Sequence, residues 1–175
     1  MSTVQIVDYQ ESWPSAFEQV ASVLRTVMAG HQVEIEHTGS TAVPGLCAKP
    51  VLDVLLGVCA LSEVESKVAE LEQVGYQYRP EYEAQIPLRR YFVKSAEESC
   101  PRVHLHAVQT NGLLWQEHVA FRQALRSNSA LADEYGSLKR NLASSVGKSE
   151  YTEAKAPFIR GVLGRVASGK AESAA

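Results

Sequence analysis

The 175 residues, 45% apolar and 21% charged, have the composition of one globular domain large enough for a sizeable core. A formal charge of −3 makes no case for nucleic-acid binding by the whole chain, and no apolar run reaches the ~18 residues of a membrane span. Cys47, Cys59 and Cys100 are widely spaced, and no basic-then-apolar leader opens the chain, so a cytoplasmic protein with reduced thiols is expected.

Val4 to Tyr9 alternates apolar and polar residues and predicts a short strand. Ser12 is an N-cap candidate, with Trp13-Pro14 in the first turn. Phe17, Val20, Ala21, Leu24 and Met28 then recur at helical spacing up to Gly30. Val33, Ile35 and His37 share one face of the next strand, Glu34 and Glu36 the other. After a loop rich in small residues, Val51 to Val58 is apolar throughout except for Asp53, as in a strand buried on both faces.

Leu61 to Val74 predicts one helix capped by Ser62 and ended by Gly75. Strands follow at Tyr76 to Arg79, Leu88 to Lys94 and Arg102 to Gln109, the last two joined by a hairpin connection from Ala96 to Pro101. Thr110-Asn111-Gly112 is a turn. The remainder is helical: Leu114 to Arg126, a helix capped by Asn128 or Ser129 and broken at Gly147, and a last helix capped by Ser149 and kinked at Pro157. The order implies an α+β (mixed α/β) fold: a mixed sheet packed with helices and a helical C-terminal part, as one domain over 1–167 with a frayed tail at 168–175.

The loop from His37 to Lys49 joins two strands. Gly39 lets backbone approach a ligand, and Ser40 and Thr41 add hydroxyls, so backbone N–H groups there could cradle an anion. It is not a phosphate-binding P-loop, because Gly45 is followed by Leu46-Cys47 rather than Lys-Ser/Thr. The stretch Glu36-His37, Gly39-Ser40-Thr41-Ala42-Val43-Pro44-Gly45, Lys49-Pro50 and Asp53 resembles the signature of the GrpB family, a branch of the nucleotidyltransferase superfamily. The similarity extends to His104-Leu105-His106, Phe121-Arg122, Leu138-Lys139 and Tyr151-Thr152-Glu153-Ala154-Lys155. It implies a nucleotidyltransferase-like fold and phosphoryl-transfer chemistry, in which carboxylates hold divalent metal ions.

Asp53 takes the place of the first metal-binding carboxylate in that resemblance. The second place, i+2, is Leu55, and the third falls where His104 and His106 stand. Alternation puts these histidines on one face, roughly 7 Å apart. Asp53, His104 and His106 are therefore the candidate catalytic and metal residues; magnesium, manganese or zinc are the ions considered. The candidate phosphate-binding residues are Gly39, Ser40, Thr41, Lys49, Arg89, Arg90, Lys139, Tyr151 and Lys155, and alternation lets only one of Arg89 and Arg90 face the cleft. Two functions stay open: an enzyme transferring a nucleotidyl or phosphoryl group to a small substrate, and a non-catalytic module that binds a nucleotide or phosphorylated ligand after losing the two-metal site. The expected partner in either case is a small ligand rather than a membrane or nucleic acid. The substrate, its acceptor and the oligomeric state are not legible from the sequence.

Overall fold

The computed structural model describes residues 4–147 and 150–173. Helix α1, Trp13–Val27, buries Trp13, Ala16, Phe17, Val20, Ala21 and Leu24 on one stripe. Proline in its first turn costs no hydrogen bond. Ser12 precedes the helix but its side chain makes no capping bond. The strand expected at Val4 to Tyr9 is instead a single bridge, Val7 to Ala48. Pro50 has no N–H to donate, so this ladder cannot lengthen along the loop.

Strands β1 (Val33–Thr38), β2 (Val51–Val58), β3 (Tyr76–Tyr78), β4 (Arg89–Lys94) and β5 (Arg102–Gln109) form one sheet in the order β1-β2-β5-β4-β3. Only β2 and β5 run parallel; the other neighbours are antiparallel. Between β2 and β3 the single predicted helix is two: α2, Leu61–Glu65, and α3, Val68–Gln73, with Ala60 rather than Ser62 at the N-cap. The break follows from Ser66, whose hydroxyl bonds the Glu63 carbonyl at 2.7 Å, and from a tightened turn in which Lys67 N–H bonds Val64. Val64 and Leu71 still reach the core.

Strand parity divides the sheet between two environments. Leu52, Val54, Leu56, Val58, Val103, Leu105, Ala107 and Phe92 belong to the main core with α1 and with Val64 and Leu71. The opposite face presents Asp53 and Leu55 from β2, His104 and His106 from β5, and Arg89 and Tyr91 from β4, with Asp53 paired to His104 and Tyr91 to His106. Helix α4, Leu113–Ser127, covers one end of this second face. Its Trp115 packs on Leu55 and Val108, and lies so near Gly57 that a Cβ there would strike the indole.

Helix α5, Ser129–Ser145, is capped by the Asn128 side chain, which accepts from Leu131 N–H at 3.0 Å. Its Tyr135 packs with Val43 and Leu46 of the loop. The helix expected to kink at Pro157 is instead α6, Tyr151–Ala154, and α7, Ala156–Ser173. The interruption comes before the proline, which then sits in the first turn of α7 where its missing N–H is harmless. Ser149, the expected cap, lies outside the described residues, and α7 continues past Ser168 to Ser173. Among the described residues no helix is long and apolar enough to cross a membrane.

Candidate functional site

The loop between β1 and β2 is held from beneath by hydrogen bonds to its own carbonyls. Arg122 Nη1 donates to the His37 carbonyl at 2.7 Å and to Glu36 Oε2 at 2.6 Å. Arg126 grips the Ala42 carbonyl through Nε and Nη2, at 2.8 and 2.6 Å. Lys139 Nζ donates to the Cys47 carbonyl. Thr41 spends its hydroxyl proton on the Val51 carbonyl at 3.1 Å, so the 3.0 Å contact with His37 Nε2 makes that imidazole the donor. Burial lowers His37 to about 4, against the pull of Asp53, and the ring stacks on Phe17 at 4.8 Å.

At Gly39 the backbone turns with φ +69° and ψ −171°, and the loop backbone lies so near Asp53 that a Cβ would collide with the carboxylate. Ser40 and Thr41 follow in a single turn of 3₁₀ helix. A cavity of about 590 Å³ opens beside this turn. Of the residues singled out in the sequence, Ser40, Thr41, Lys49, Asp53, Arg89, His104, His106, Lys139, Tyr151 and Lys155 all line it. Gly39 seats the carboxylate from behind. Arg90 is turned to the other face of β4, where it pairs with Glu65 at 2.7 Å and Glu83 at 3.7 Å.

Lys49 and Lys155 place their ammonium groups 4.1 and 4.6 Å from the centre of the Tyr151 ring. Burial lowers Lys155, with Asp53 opposing, and lowers the enclosed Lys139 to about 8 despite Cys47. At the other side of Asp53, Arg89 lies 4.9 Å from the Tyr91 ring centre. Tyr82, Gln85 and Ile86 of the β3–β4 connection complete that wall.

The model of the GrpB protein family matches residues 3–165. The chain belongs to the GrpB family. It is 36% identical to the glutamate-rich protein GrpB of Alkalihalophilus pseudofirmus over 165 residues, covering 91% of this chain and 94% of that one. It is also similar to the crystal structure of the conserved protein GrpB from Enterococcus faecalis, with a TM-score of 0.83, 32% identity, and 95% and 99% of the two chains covered. A partial likeness of the fold reaches a cytoplasmic RNA terminal U-transferase: TM-score 0.46, 12% identity, 77% of this chain and 44% of that one.

Does this GrpB-family site suit a divalent metal? Magnesium wants several oxygen ligands, and the position two residues after Asp53 is Leu55, fully buried against Val108 and Trp115. Among the described residues no three or more His, Cys, Asp or Glu side chains are grouped to hold a metal ion. The two histidines meet Asp53 in another way. Arg89 Nη1 can only donate, so at 3.5 Å His106 Nδ1 is its acceptor, which puts the ring proton on Nε2, 3.5 Å from Asp53 Oδ1. Arg102 Nε likewise donates to His104 Nε2 at 3.3 Å, leaving His104 Nδ1–H facing the same oxygen at 3.7 Å. In this arrangement both imidazoles turn N–H groups toward the carboxylate.

Burial pushes the Asp53 carboxyl up. The His106 bond, the two imidazoles and Lys155 outweigh this and hold it below the usual carboxylate range. His104 falls to about 4, chiefly by burial, with Asp53 opposing. Tyr91 was not singled out in the sequence; it shares the face of Arg89, and strand alternation is the signal that would have found it. Nor was His118: it comes from α4, its ring centre 5.4 Å from that of His106, and nothing in its local sequence spacing distinguishes it.

Proposed function

We propose that this GrpB-family chain binds a small phosphorylated molecule, of nucleotide or sugar-phosphate size, in the cavity beside Asp53, through cationic side chains rather than a divalent metal. The observation that carries this reading is the convergence of Lys49, Lys155, Lys139 and Arg89 on a cavity to which, among the described residues, only Asp53 and Glu153 bring carboxylates. A cavity of about 590 Å³ suits a ligand of that size. Lysines that are partly desolvated gain more from a phosphate than solvated ones do, because the ligand restores the counter-charge that water no longer supplies.

A second reading is nucleotidyl or phosphoryl transfer to a small acceptor, favoured by a carboxylate that faces the cavity directly after a Gly-Ser loop. Metal-dependent transfer calls for a second carboxylate where Leu55 stands, so binding without it is the better account.

Calorimetry with AMP, ATP and inorganic phosphate, with EDTA or with added magnesium, manganese or zinc, tests this. Binding is expected to be unchanged by EDTA. Lys155→Ala is expected to weaken it by about 10- to 30-fold, roughly 1.5–2 kcal/mol for one charge-assisted contact. Asp53→Asn should leave binding intact or strengthen it. If Asp53→Asn abolishes binding only when metal is present, the transfer reading replaces this one.

A further inference from the structure

Arg79, Arg90, Arg122 and Arg140 each have a carboxylate within 4 Å. Among the described residues no carboxylate approaches Arg89, although its guanidinium is withdrawn between Tyr91 and His106. Its Nε is buried and has no hydrogen-bond partner. Burial also lowers its basicity, with Tyr91 and Tyr82 opposing. Removing a charge from water without a counter-ion is costly, and the Tyr91 ring and His106 nitrogen beside it offset that only in part. Arg89 cannot be serving a structural ion pair, yet it borders the same cavity as the lysines.

The sheet register places this cation. Asp53 is level with His104, and Arg89 is level with Val108, four residues further along β5. The long side chain leans back as far as His106, so its head lies on the order of 7 Å beyond the level of Asp53. Lys49 precedes β2, on the opposite side of Asp53, and Lys155 joins it over Tyr151. The cavity therefore has two cationic ends with an anionic carboxylate between them.

We infer that the ligand carries two oxyanion groups, a phosphate at the Lys49–Lys155 end and a second phosphate or a carboxylate at Arg89, separated by a hydroxylated middle that can donate to Asp53. A planar guanidinium offers a fork of N–H groups to either oxyanion, and the Tyr91 ring flanks it. A hydroxylated middle suits the Asp53 carboxylate, which can accept from a hydroxyl and would repel an anionic group. This inference rests on the phosphate-binding reading above and extends it to the class of ligand.

The test is calorimetry on the full chain with four probes: inorganic phosphate, glycerol 3-phosphate, fructose 1,6-bisphosphate and 3-phosphoglycerate. At least one of the two-anion probes is expected to bind ten-fold or more tightly than either monophosphate; which one does so distinguishes phosphate from carboxylate at Arg89. Arg89→Met should remove that advantage, costing the favoured two-anion probe ten-fold or more in affinity and inorganic phosphate much less. Arg89→Lys, which keeps the charge but not the fork, should retain part of the advantage. If both classes of probe bind wild type equally, or if Arg89→Met weakens all four alike, the two-ended ligand is wrong even though phosphate binding stands. If inorganic phosphate and every other probe fail to bind wild type, the phosphate-binding reading falls and takes this inference with it.

Discussion

Gly39→Ala is expected to cost roughly 3 kcal/mol or more and to lower the melting temperature by about 6–12 °C in a chain of this size. Two effects add. The φ of +69° with ψ of −171° is a conformation that residues with a Cβ rarely adopt, worth about 1–3 kcal/mol on its own. The new methyl group would also strike the Asp53 carboxylate, the group that two imidazoles hold in place. Gly45 is the control. It also has a positive φ, +78°, but open space where a Cβ would go. Gly45→Ala should therefore show only the backbone cost of about 1–2 kcal/mol. Thermal unfolding of the two variants, with phosphate binding measured on each, separates strain from displacement of Asp53. Equal melting temperatures for both would show that the Asp53 contact contributes nothing.

The second large effect is expected at Lys139, 2% exposed and donating to the Cys47 carbonyl. Burial lowers its ammonium from 10.5 to about 8; Cys47 opposes this, and Lys155 and Arg140 add to it. Below about pH 8 the folded and unfolded chains both hold the proton, and the folded one bears the whole cost of the buried charge. Between about 8 and 10.5 the folded chain releases the proton while the unfolded chain keeps it. This group's contribution to stability therefore rises with pH through that window. The shift corresponds to roughly 3 kcal/mol. Lys139→Met lacks the titration, so the stability of wild type relative to Lys139→Met should rise by roughly 2–3 kcal/mol from pH 7 to pH 10, read by urea unfolding. Phosphate binding should also take up a proton on wild type at pH 8–9, seen as a buffer-dependent calorimetric enthalpy, and not on Lys139→Met. A stability difference that stays flat with pH would mean that the ammonium is not desolvated in the folded chain.

Much of the architecture was legible because it is written in local periodicities. A continuous apolar run placed Val51–Val58 with its bounds and Arg102–Gln109 was placed likewise; alternation put His104 and His106 on one face, and sent Arg89 and Arg90 of β4 to opposite faces. The small-residue loop before Asp53 announced a close approach of backbone, and Gly39 makes it. The errors fall where local pattern is a poor guide. Periodicity runs unbroken from Leu61 to Val74 because Val64 and Leu71 both face the core, yet a serine hydroxyl competing for the Glu63 carbonyl divides the helix. Val4 to Tyr9 alternates like a strand, but a strand also needs a partner with N–H groups to offer, and Pro50 ends that partner.

By itself, then, the sequence determined which side chains share a face, where the chain turns tightly, and that Asp53 lacks a companion carboxylate at Leu55. Only the tertiary structure decided what those side chains do to one another. The two histidines share a face by spacing alone; that both meet Asp53, with Arg89 and Arg102 at their other nitrogens, comes from the packing of the strands. Lys139 was a candidate phosphate-binding residue by resemblance, and its burial came only from the packing of α5 on the loop. Arg90 found carboxylates on the outer side of β4, and among the described residues Arg89 found none on the inner side. The reason is common to all of these. Backbone geometry repeats every two or 3.6 residues and can be read along the chain, whereas desolvation and hydrogen-bond direction depend on whatever other elements arrive within a few ångströms, from residues as far apart in sequence as Cys47 and Lys139.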